Sequence, residues 1–389
     1  MIELAQKNEC TGCFACYAAC AKGAISMSLD TEEFLRPLID SAKCVNCGLC
    51  AKACPVLVRP EYRKPIAAFA AKTKNMQLLL ESTSGGAFTE LANVVLANGG
   101  VVCGAGWDSE FNVVHKIVES EDKLSELRGS KYVQSRLDEV YNQIRMFLSH
   151  GRQVLFTGTP CQCAAMRLMF DDDSNLIICG LICHSNTAPN VWRRYLHEFQ
   201  KEKGGEIQNI RFRDKSSGWK GSRFRVSFKT GMDFSESLSE NLYWKVFCSG
   251  LGTSEACFKC KFRNGAHGAD LIIGDFWGVE KIFPNRDYKN GMSAVLVYTE
   301  KGDNLLSRTD LDMIVTNYSD VLVGNPFLEK VITVDVKKRK IFQKCKSQMS
   351  LNKAYKLSWF GPWYRRVPYA IYGKLRGIAG GFIRKIGLR

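Results

Sequence analysis

Cysteine recurs twice at one spacing, at Cys10, Cys13, Cys16 and Cys20 and again at Cys44, Cys47, Cys50 and Cys54, and this limits what the chain can become. Each run reads C-x2-C-x2-C-x3-C, and Pro55 follows the second. Three cysteines two residues apart let a tight loop wrap three irons of a cubane, while the fourth iron takes a thiolate from the other run. Cys10, Cys13, Cys16 and Cys54 are therefore expected on one [4Fe-4S] cluster, with Cys44, Cys47, Cys50 and Cys20 on its neighbour. Gly12, Ala15, Ala19, Gly48, Ala51 and Ala53 leave room for each loop to close around inorganic sulfide. Ala21 stands where a proline is usual after the first run, but proline shapes only the exit and gives no electrons to iron.

A disulfide framework and zinc held by paired C-x2-C hooks compete with this reading. Disulfides belong to oxidising compartments, and the first eight residues contain no apolar leader core, so a reducing cytoplasm is expected. Zinc sites rarely use eight thiolates in two such runs. The cluster reading therefore stands, and with it a ferredoxin-type module over residues 1–60.

The chain has 389 residues, 46% of them apolar, and no run of 18 apolar residues that would span a membrane. Its net charge of +15 is concentrated at one end. Residues 336–389 hold fifteen Lys and Arg and no acid; removing these from the 54 basic residues leaves 39, against 39 acidic ones. An anionic membrane surface or an acidic protein could use such a basic tail. No nucleic-acid recognition module accompanies it, so nucleic acid is not an expected partner.

Pro55, Pro60 and Pro65 mark a linker, and a second domain is expected over residues 61–335. Strands are expected at 66–71, 101–104, 154–157, 176–183, 206–213, 223–229, 271–276 and 294–298. Helices are expected at 86–97, capped by Ser84, and at 136–149, 161–170 and 190–202. Helices alternate with strands early and strands dominate later, which predicts α+β: a ferredoxin-like module followed by a mixed-sheet α/β domain. Gly104 and Gly106 begin a dinucleotide-like motif, but Ser109 stands where the third glycine belongs. No Rossmann finger holds a flavin here.

Several blocks of this second domain resemble, in order, the beta subunit of coenzyme F-420-reducing hydrogenases and dehydrogenases. They are Ser82-Thr83-Ser84-Gly85-Gly86, Gly129-Ser130-Lys131-Tyr132, Gly158-Thr159-Pro160-Cys161-Gln162, Ile182-Cys183-His184, Cys257-Phe258-Lys259-Cys260 and Gly274-Asp275-Phe276-Trp277-Gly278. The resemblance runs from about residue 66 to about 334, and implies FAD, a third [4Fe-4S] cluster and a two-electron substrate such as coenzyme F-420. It also implies a redox partner protein, such as a ferredoxin or a dehydrogenase subunit. A non-catalytic electron-transfer subunit serving a separate enzyme is the other function carried forward.

Cys161, Cys183, Cys257 and Cys260 are the expected ligands of the third cluster, with structural zinc as the rival. Cys163 and Cys179 are the substitutes, Cys103 and Cys248 are expected to be buried apolar residues, and Cys345 falls in the basic tail. Ser84, Gly85 and Gly86 at a helix start can present backbone N–H groups to a pyrophosphate, with Lys131 offering a cation. Ser130, Tyr132, Gly158, Thr159 and Pro160 complete the expected cofactor contacts. An ordinary helix cap and a solvated lysine are the plain alternatives. His184 and Asp275 are the candidate catalytic groups, each equally readable as a satisfied structural residue. Beyond Trp359, Val367, Ile371, Leu375, Ile378, Phe382 and Ile386 form an apolar stripe flanked by basic residues, which leaves two readings of the tail: a C-terminal helix docked on the protein's own core, or an interfacial helix at the inner membrane face.

Overall fold

The structure, a computed structural model, describes residues 2–171 and 173–361. Its strands are β1 (Ile25–Leu29), β2 (Leu35–Ile39), β3 (Ala67–Thr73), β4 (Val101–Trp107), β5 (Val113–Val118), β6 (Val154–Gly158) and β7 (Leu176–Leu181). They continue as β8 (Ile207–Asp214), β9 (Arg223–Phe228), β10 (Asp233–Ser237), β11 (Leu271–Asp275), β12 (Ser293–Val297) and β13 (Leu311–Thr316). Eight form one mixed sheet in the order β13-β3-β12-β11-β7-β6-β4-β5. The four central strands β4, β6, β7 and β11 run parallel, and antiparallel pairs flank them on both sides. Continuous apolar runs such as Val154-Leu155-Phe156 are buried on both faces, as a parallel centre requires.

Helix Ala87–Ala97 covers one face, packing Leu91, Val95 and Leu96 against Val102, Leu155 and Val295. The other face receives helices Val140–Ser149 and Pro160–Phe170 together with Phe14 and Ala15 of the cysteine module. A second sheet, β10-β9-β8, packs an aromatic core of Trp192, Phe212, Phe224 and Tyr243 against helix Pro189–Lys203. The module's own hairpin is β1-β2.

The cysteine module is bolted to the sheet domain. Gln134 accepts from the Leu35 amide (2.9 Å) and donates to Thr11 O (3.4 Å) and Leu35 O (3.3 Å), while Tyr141 Oη donates to Cys13 O (2.8 Å). From the far end of the chain, Arg339 forms a two-pronged pair with Glu32 (2.8 and 2.5 Å). Lys346 reaches Glu32 O (2.7 Å) and the Glu33 carboxylate (2.8 Å).

That clasp alters the expected organisation. Residues 336–361 are not a separate tail: Val336–Cys345 and Leu351–Phe360 are helices whose Phe342, Leu351 and Ala354 are buried in the aromatic core. Arg339 and Lys346 bind the chain's own acids. The stripe from Val367 to Ile386 lies outside the described residues, and no described helix is long and apolar enough to cross a membrane.

Two local readings change as well. Helix 136–149 begins at Val140, because Arg136 is held extended by its amide to Val113 O (3.0 Å) and its carbonyl to the His115 amide (2.8 Å). Helix Ala87–Ala97 is capped by Gly86 at φ 90°, not by Ser84, whose hydroxyl donates to Met292 O (2.7 Å). Gly85 donates its amide to Ser293 Oγ (2.9 Å), and a Cβ there would meet Ala71 O and Ser293 N well inside 3.0 Å. Both obstacles are backbone of paired strands, so Gly85→Ala is expected to cost about 1–3 kcal/mol. A lowered denaturant midpoint measures this, and an unchanged one would show that the strands can part.

Candidate redox site

Three cavities each gather four thiols. Cys10, Cys13, Cys16 and Cys54 share the wall of the first with Gly12, Phe14 and Val56. Cys20, Cys44, Cys47 and Cys50 share the second with Ile25, Val45 and Leu49. The exchange of the fourth cysteine between the two cavity walls accompanies the packing of two one-turn helices, Ala15–Ala18 and Leu49–Lys52, which each begin at a left-handed residue, Phe14 and Gly48. Cys161, Cys183, Cys257 and Cys260 share the third cavity with Thr11, Pro160, Ser254 and Arg263.

Each third-cavity cysteine comes from a different structural cause. Thr159 caps helix Pro160–Phe170 in a reciprocal box with Gln162, which places Cys161 at its first turn and Thr159 Oγ1 3.2 Å from Cys161 Sγ. Cys183 follows the end of β7, and the one-turn helix Glu255–Phe258 carries Cys257. Arg263 ties the set together from the side, donating to Cys183 O (2.9 Å), His184 O (2.9 Å) and Phe327 O.

The thiols of the first and third cavities are deeply buried. Burial pushes the Cys16 and Cys257 thiols up to about 12 and Cys161 up to about 11, and drives Cys13 and Cys183 well above the usual range. Four thiolates crowded into such a place need a multivalent cation to neutralise them, so loading would release protons. Among the described residues no three His, Cys, Asp or Glu side chains close on one point for a single metal ion. The thiols instead surround a shared chamber.

The chambers are contiguous. Thr11 lines both the first and the third, and Cys54, Val56 and Phe262 pack against Cys161 and Cys260. Cys16 and Cys50 meet in one apolar cluster between the first and the second. Cys47 is exposed, as are Val45 and Leu49, so the second chamber is the one nearest solvent.

The other cysteines stand apart from these walls. Cys163 is buried on the opposite side of its helix, Cys179 and Cys103 lie inside the sheet, and Cys345 sits on helix Val336–Cys345. Cys248 is exposed at the end of helix Leu242–Cys248, not buried as its residue type suggested.

His184 turns away from the thiols. Its Nδ1 lies 3.0 Å from Ser185 Oγ, its ring packs on Phe247 and Phe327, and burial lowers its pKa to about 4. Asp275 accepts from Arg213 Nη1 (3.2 Å) and Trp219 Nε1 (2.6 Å). Both are satisfied as structural groups. Lys131 does not offer its ammonium to an open cleft, since it donates to the carbonyls of Ala105, Leu127 and Arg128 at 2.8–3.0 Å. Ser130 donates its amide to Thr83 Oγ1 (3.3 Å), and Gly158, Thr159 and Pro160 lead into the third chamber.

A second polar centre lies around Asp275, which the sequence singled out, together with Arg213 and Lys215, which it did not. Arg213 is 8% exposed, stacks over Trp277 at 5.1 Å, and leaves Nε and Nη2 without a hydrogen-bond partner. Trp277 in turn stacks on Trp219 at 4.6 Å. Lys215, its pKa pushed down to about 7 by burial, donates to the carbonyls of Leu79, Ser84 and Asn290. Tyr132 contacts Phe247, which contacts His184 beside Cys183, so one aromatic layer separates this centre from the third chamber. Its trace in the sequence is three basic residues at period two, Arg211, Arg213 and Lys215, at the end of a strand.

Comparison with known proteins places these features. Residues 9–58 match the 4Fe-4S dicluster domain, and residues 151–320 match the family described as the C terminus of the Coenzyme F420 hydrogenase/dehydrogenase beta subunit. Over residues 151–320 the chain resembles the coenzyme F-420 hydrogenase/dehydrogenase beta subunits. The first two chambers fall in the dicluster segment, and all four cysteines of the third fall in the segment similar to the beta subunit. The chain is 26% identical over 197 residues to the F subunit of the F(420)H(2) dehydrogenase of Methanosarcina mazei, an alignment covering 46% of this chain and 55% of that protein. It is 28% identical over 171 residues to the coenzyme F420-dependent sulfite reductase of Methanocaldococcus jannaschii, covering 42% of this chain and 26% of that one. The chain thus spans about half the length of the first and about a quarter of the second. A chain of the F420-reducing [NiFe] hydrogenase complex from Methanosarcina barkeri aligns over 77% of this chain and 91% of its own, at 18% identity and a TM-score of 0.47.

Proposed function

We propose that this protein is an iron-sulfur flavoprotein oxidoreductase, in which three [4Fe-4S] clusters connect a one-electron partner to a two-electron substrate. The observation that carries this is the series of three four-thiol chambers in contact, from exposed Cys47 inward to Cys161, Cys183, Cys257 and Cys260. A redox protein would exchange electrons at the second chamber, where the thiols approach solvent.

The flavin reading rests on Arg213. Beside the Tyr132 hydroxyl, its Nε and Nη2 make no well-formed hydrogen bond, and buried donors left so cost about 1–3 kcal/mol. A flavin ring carries acceptors for such donors along its polar edge, and Trp277 and Tyr132 supply flat apolar neighbours for the ring itself. The glycines at 85 and 86 support it less directly, because a Cβ at either would meet this chain's own atoms. They serve packing and leave the amides at the start of helix Ala87–Ala97 for a phosphate. Arg213, Tyr132 and Trp277 would hold the ring, and the backbone amides that follow Gly86 the phosphate side.

A bound flavin supplies the exchange between one-electron and two-electron chemistry. The aromatic layer of Tyr132, Phe247 and His184 separates it from the third chamber and excludes water there. Burial disfavours the charged form of His184 in that layer. The substrate is proposed to be coenzyme F-420 or another two-electron acceptor, by analogy with what the curated relatives are named for.

Anaerobic purification followed by iron, sulfide, zinc and flavin quantification tests this. About twelve iron and one flavin per chain is the expected result. Eight iron without flavin would overturn it in favour of an electron-transfer role without catalysis. Eight iron with one zinc would assign the third chamber to a structural metal.

A further inference from the structure

We propose that Gln134 is a positioning residue for internal electron transfer: it fixes the loop of the first chamber against the wall of the third, and so sets the gap an electron crosses between the clusters held there. This rests on the cluster reading of those two chambers.

Gln134 is 3% exposed and stands in the wall of the third chamber with Thr11, a residue that both chambers share. Its Oε1 accepts from the Leu35 amide at 2.9 Å, and its Nε2 divides its donation between Leu35 O (3.3 Å) and Thr11 O (3.4 Å). The exchange with Leu35 in both directions fixes the plane of the side-chain amide on the hairpin. The reach to Thr11 then fastens the backbone between Cys10 and Cys13. Gly12 shows how closely the amide enters that loop: its φ is +64°, and a Cβ there would meet Gln134 Nε2 and Leu35 O well inside 3.0 Å.

The backbone around Gln134 is fastened to the other chamber. Gln134 donates its own amide to Thr187 O (3.0 Å), and Thr187 bridges Val133 on one side and Thr253 on the other. Thr187 lies on the segment that follows Cys183, and Thr253 precedes Ser254, whose carbonyl accepts from the Cys257 amide at 3.0 Å. Ser135 Oγ accepts from Gln162 Nε2 at 2.8 Å, next to Cys161. Residues 133–135 thus join the segments that carry Cys161, Cys183 and Cys257, and the Gln134 side chain carries that connection across to the first-chamber loop.

Two other ties cross the same boundary. Cys54, Val56 and Phe262 pack against Cys161 and Cys260, and Lys261 pairs with Glu9 at 2.9 Å. Apolar packing is non-directional, and a partly exposed ion pair contributes little. A buried amide held at both ends is directional and fixes the register of the two walls. An electron leaves one cubane, oxidising it, and reduces the other with no bond made or broken. Its rate is therefore governed by the gap, and tunnelling falls steeply as a gap widens.

EPR of the fully reduced, full-length protein, with iron counted in the same sample, tests the proposal. Two reduced clusters in contact split and broaden each other's signals through a dipolar coupling that falls with the inverse cube of their separation. Gln134→Ala is expected to keep about twelve iron and to narrow that splitting. In freeze-quench EPR after mixing with dithionite, its third-cluster signal should appear about tenfold more slowly, within the roughly 100-fold that a misplacement of about 1 Å can cost. Gln134→Glu keeps the length and the acceptor for the Leu35 amide but turns a carboxylate oxygen on Thr11 O. It should move both readouts the same way, and it decides the matter if Gln134→Ala fails to load iron. Asp270→Asn, which loosens the sheet domain at a residue in neither wall, should move neither readout. Full iron with unchanged splitting and rate in the Gln134 variants would overturn the role of Gln134, as would equal losses in Asp270→Asn. Fewer than about twelve iron in the wild-type protein would instead overturn the cluster reading beneath it.

Discussion

Cys257→Ser protein is expected to carry about eight iron atoms where wild type carries about twelve, and to lose one EPR signal on reduction. Cys257 sits on a one-turn helix at the wall of the third chamber, and its neighbours Cys161, Cys183 and Cys260 reach that wall from separate elements. Serine keeps the volume but binds iron far less well than a thiolate, so three remaining ligands would hold the cubane weakly. Cys163→Ala is the matched control, because Cys163 lies two residues from Cys161 yet is buried on the other side of the helix, with Gly158 O as its contact. That variant should retain its iron. Full iron in Cys257→Ser, or lost iron in Cys163→Ala, would reassign the ligands.

The largest loss of stability is expected from Asp270→Ala. Asp270 is fully buried and accepts from the Ile178 amide (2.7 Å), Thr299 Oγ1 (2.9 Å) and Arg167 Nη2 (2.9 Å). It joins β7 to the loop entering β11 and to the start of the following helix. Removing the carboxylate takes the acceptor from the Ile178 amide and Thr299 Oγ1 and one acidic partner from the buried Arg167, which costs about 3–5 kcal/mol. Asp270→Asn keeps the shape and an acceptor oxygen and should lose less. Denaturant unfolding followed by circular dichroism reads the difference, and a midpoint equal to wild type would show that Arg167 finds other compensation.

What the sequence revealed follows from the range of the interaction responsible. Ligand spacing within a loop is local, so the eight N-terminal cysteines could be divided between two clusters before any fold was known. The same division lines the first two cavities. Strands such as β6 and β7 were legible because a parallel strand buried on both faces is apolar throughout. Residue 131 was not legible: a lysine looks the same whether it greets a phosphate or wraps itself in the carbonyls of Ala105, Leu127 and Arg128. Ser84 misled in a similar way, since its hydroxyl found Met292 O on a strand far away in sequence. Gln134 and Arg213 were invisible for the same reason. Each owes its importance to partners far off in sequence, Thr11 with Leu35 for the one and Asp275 with Trp277 for the other.

The clasp between Arg339 and Glu32 joins residues 307 positions apart. Ribosomes add about 5–20 residues per second, so on the order of 15–60 s separates the emergence of the hairpin from that of the residue that fastens it. During that interval the N-terminal cysteines are already made while the side of the hairpin facing Arg339 and Lys346 is still open. The order of synthesis thus leaves a period in which iron and sulfide can be delivered to the growing chain before its last helices shut the module in place.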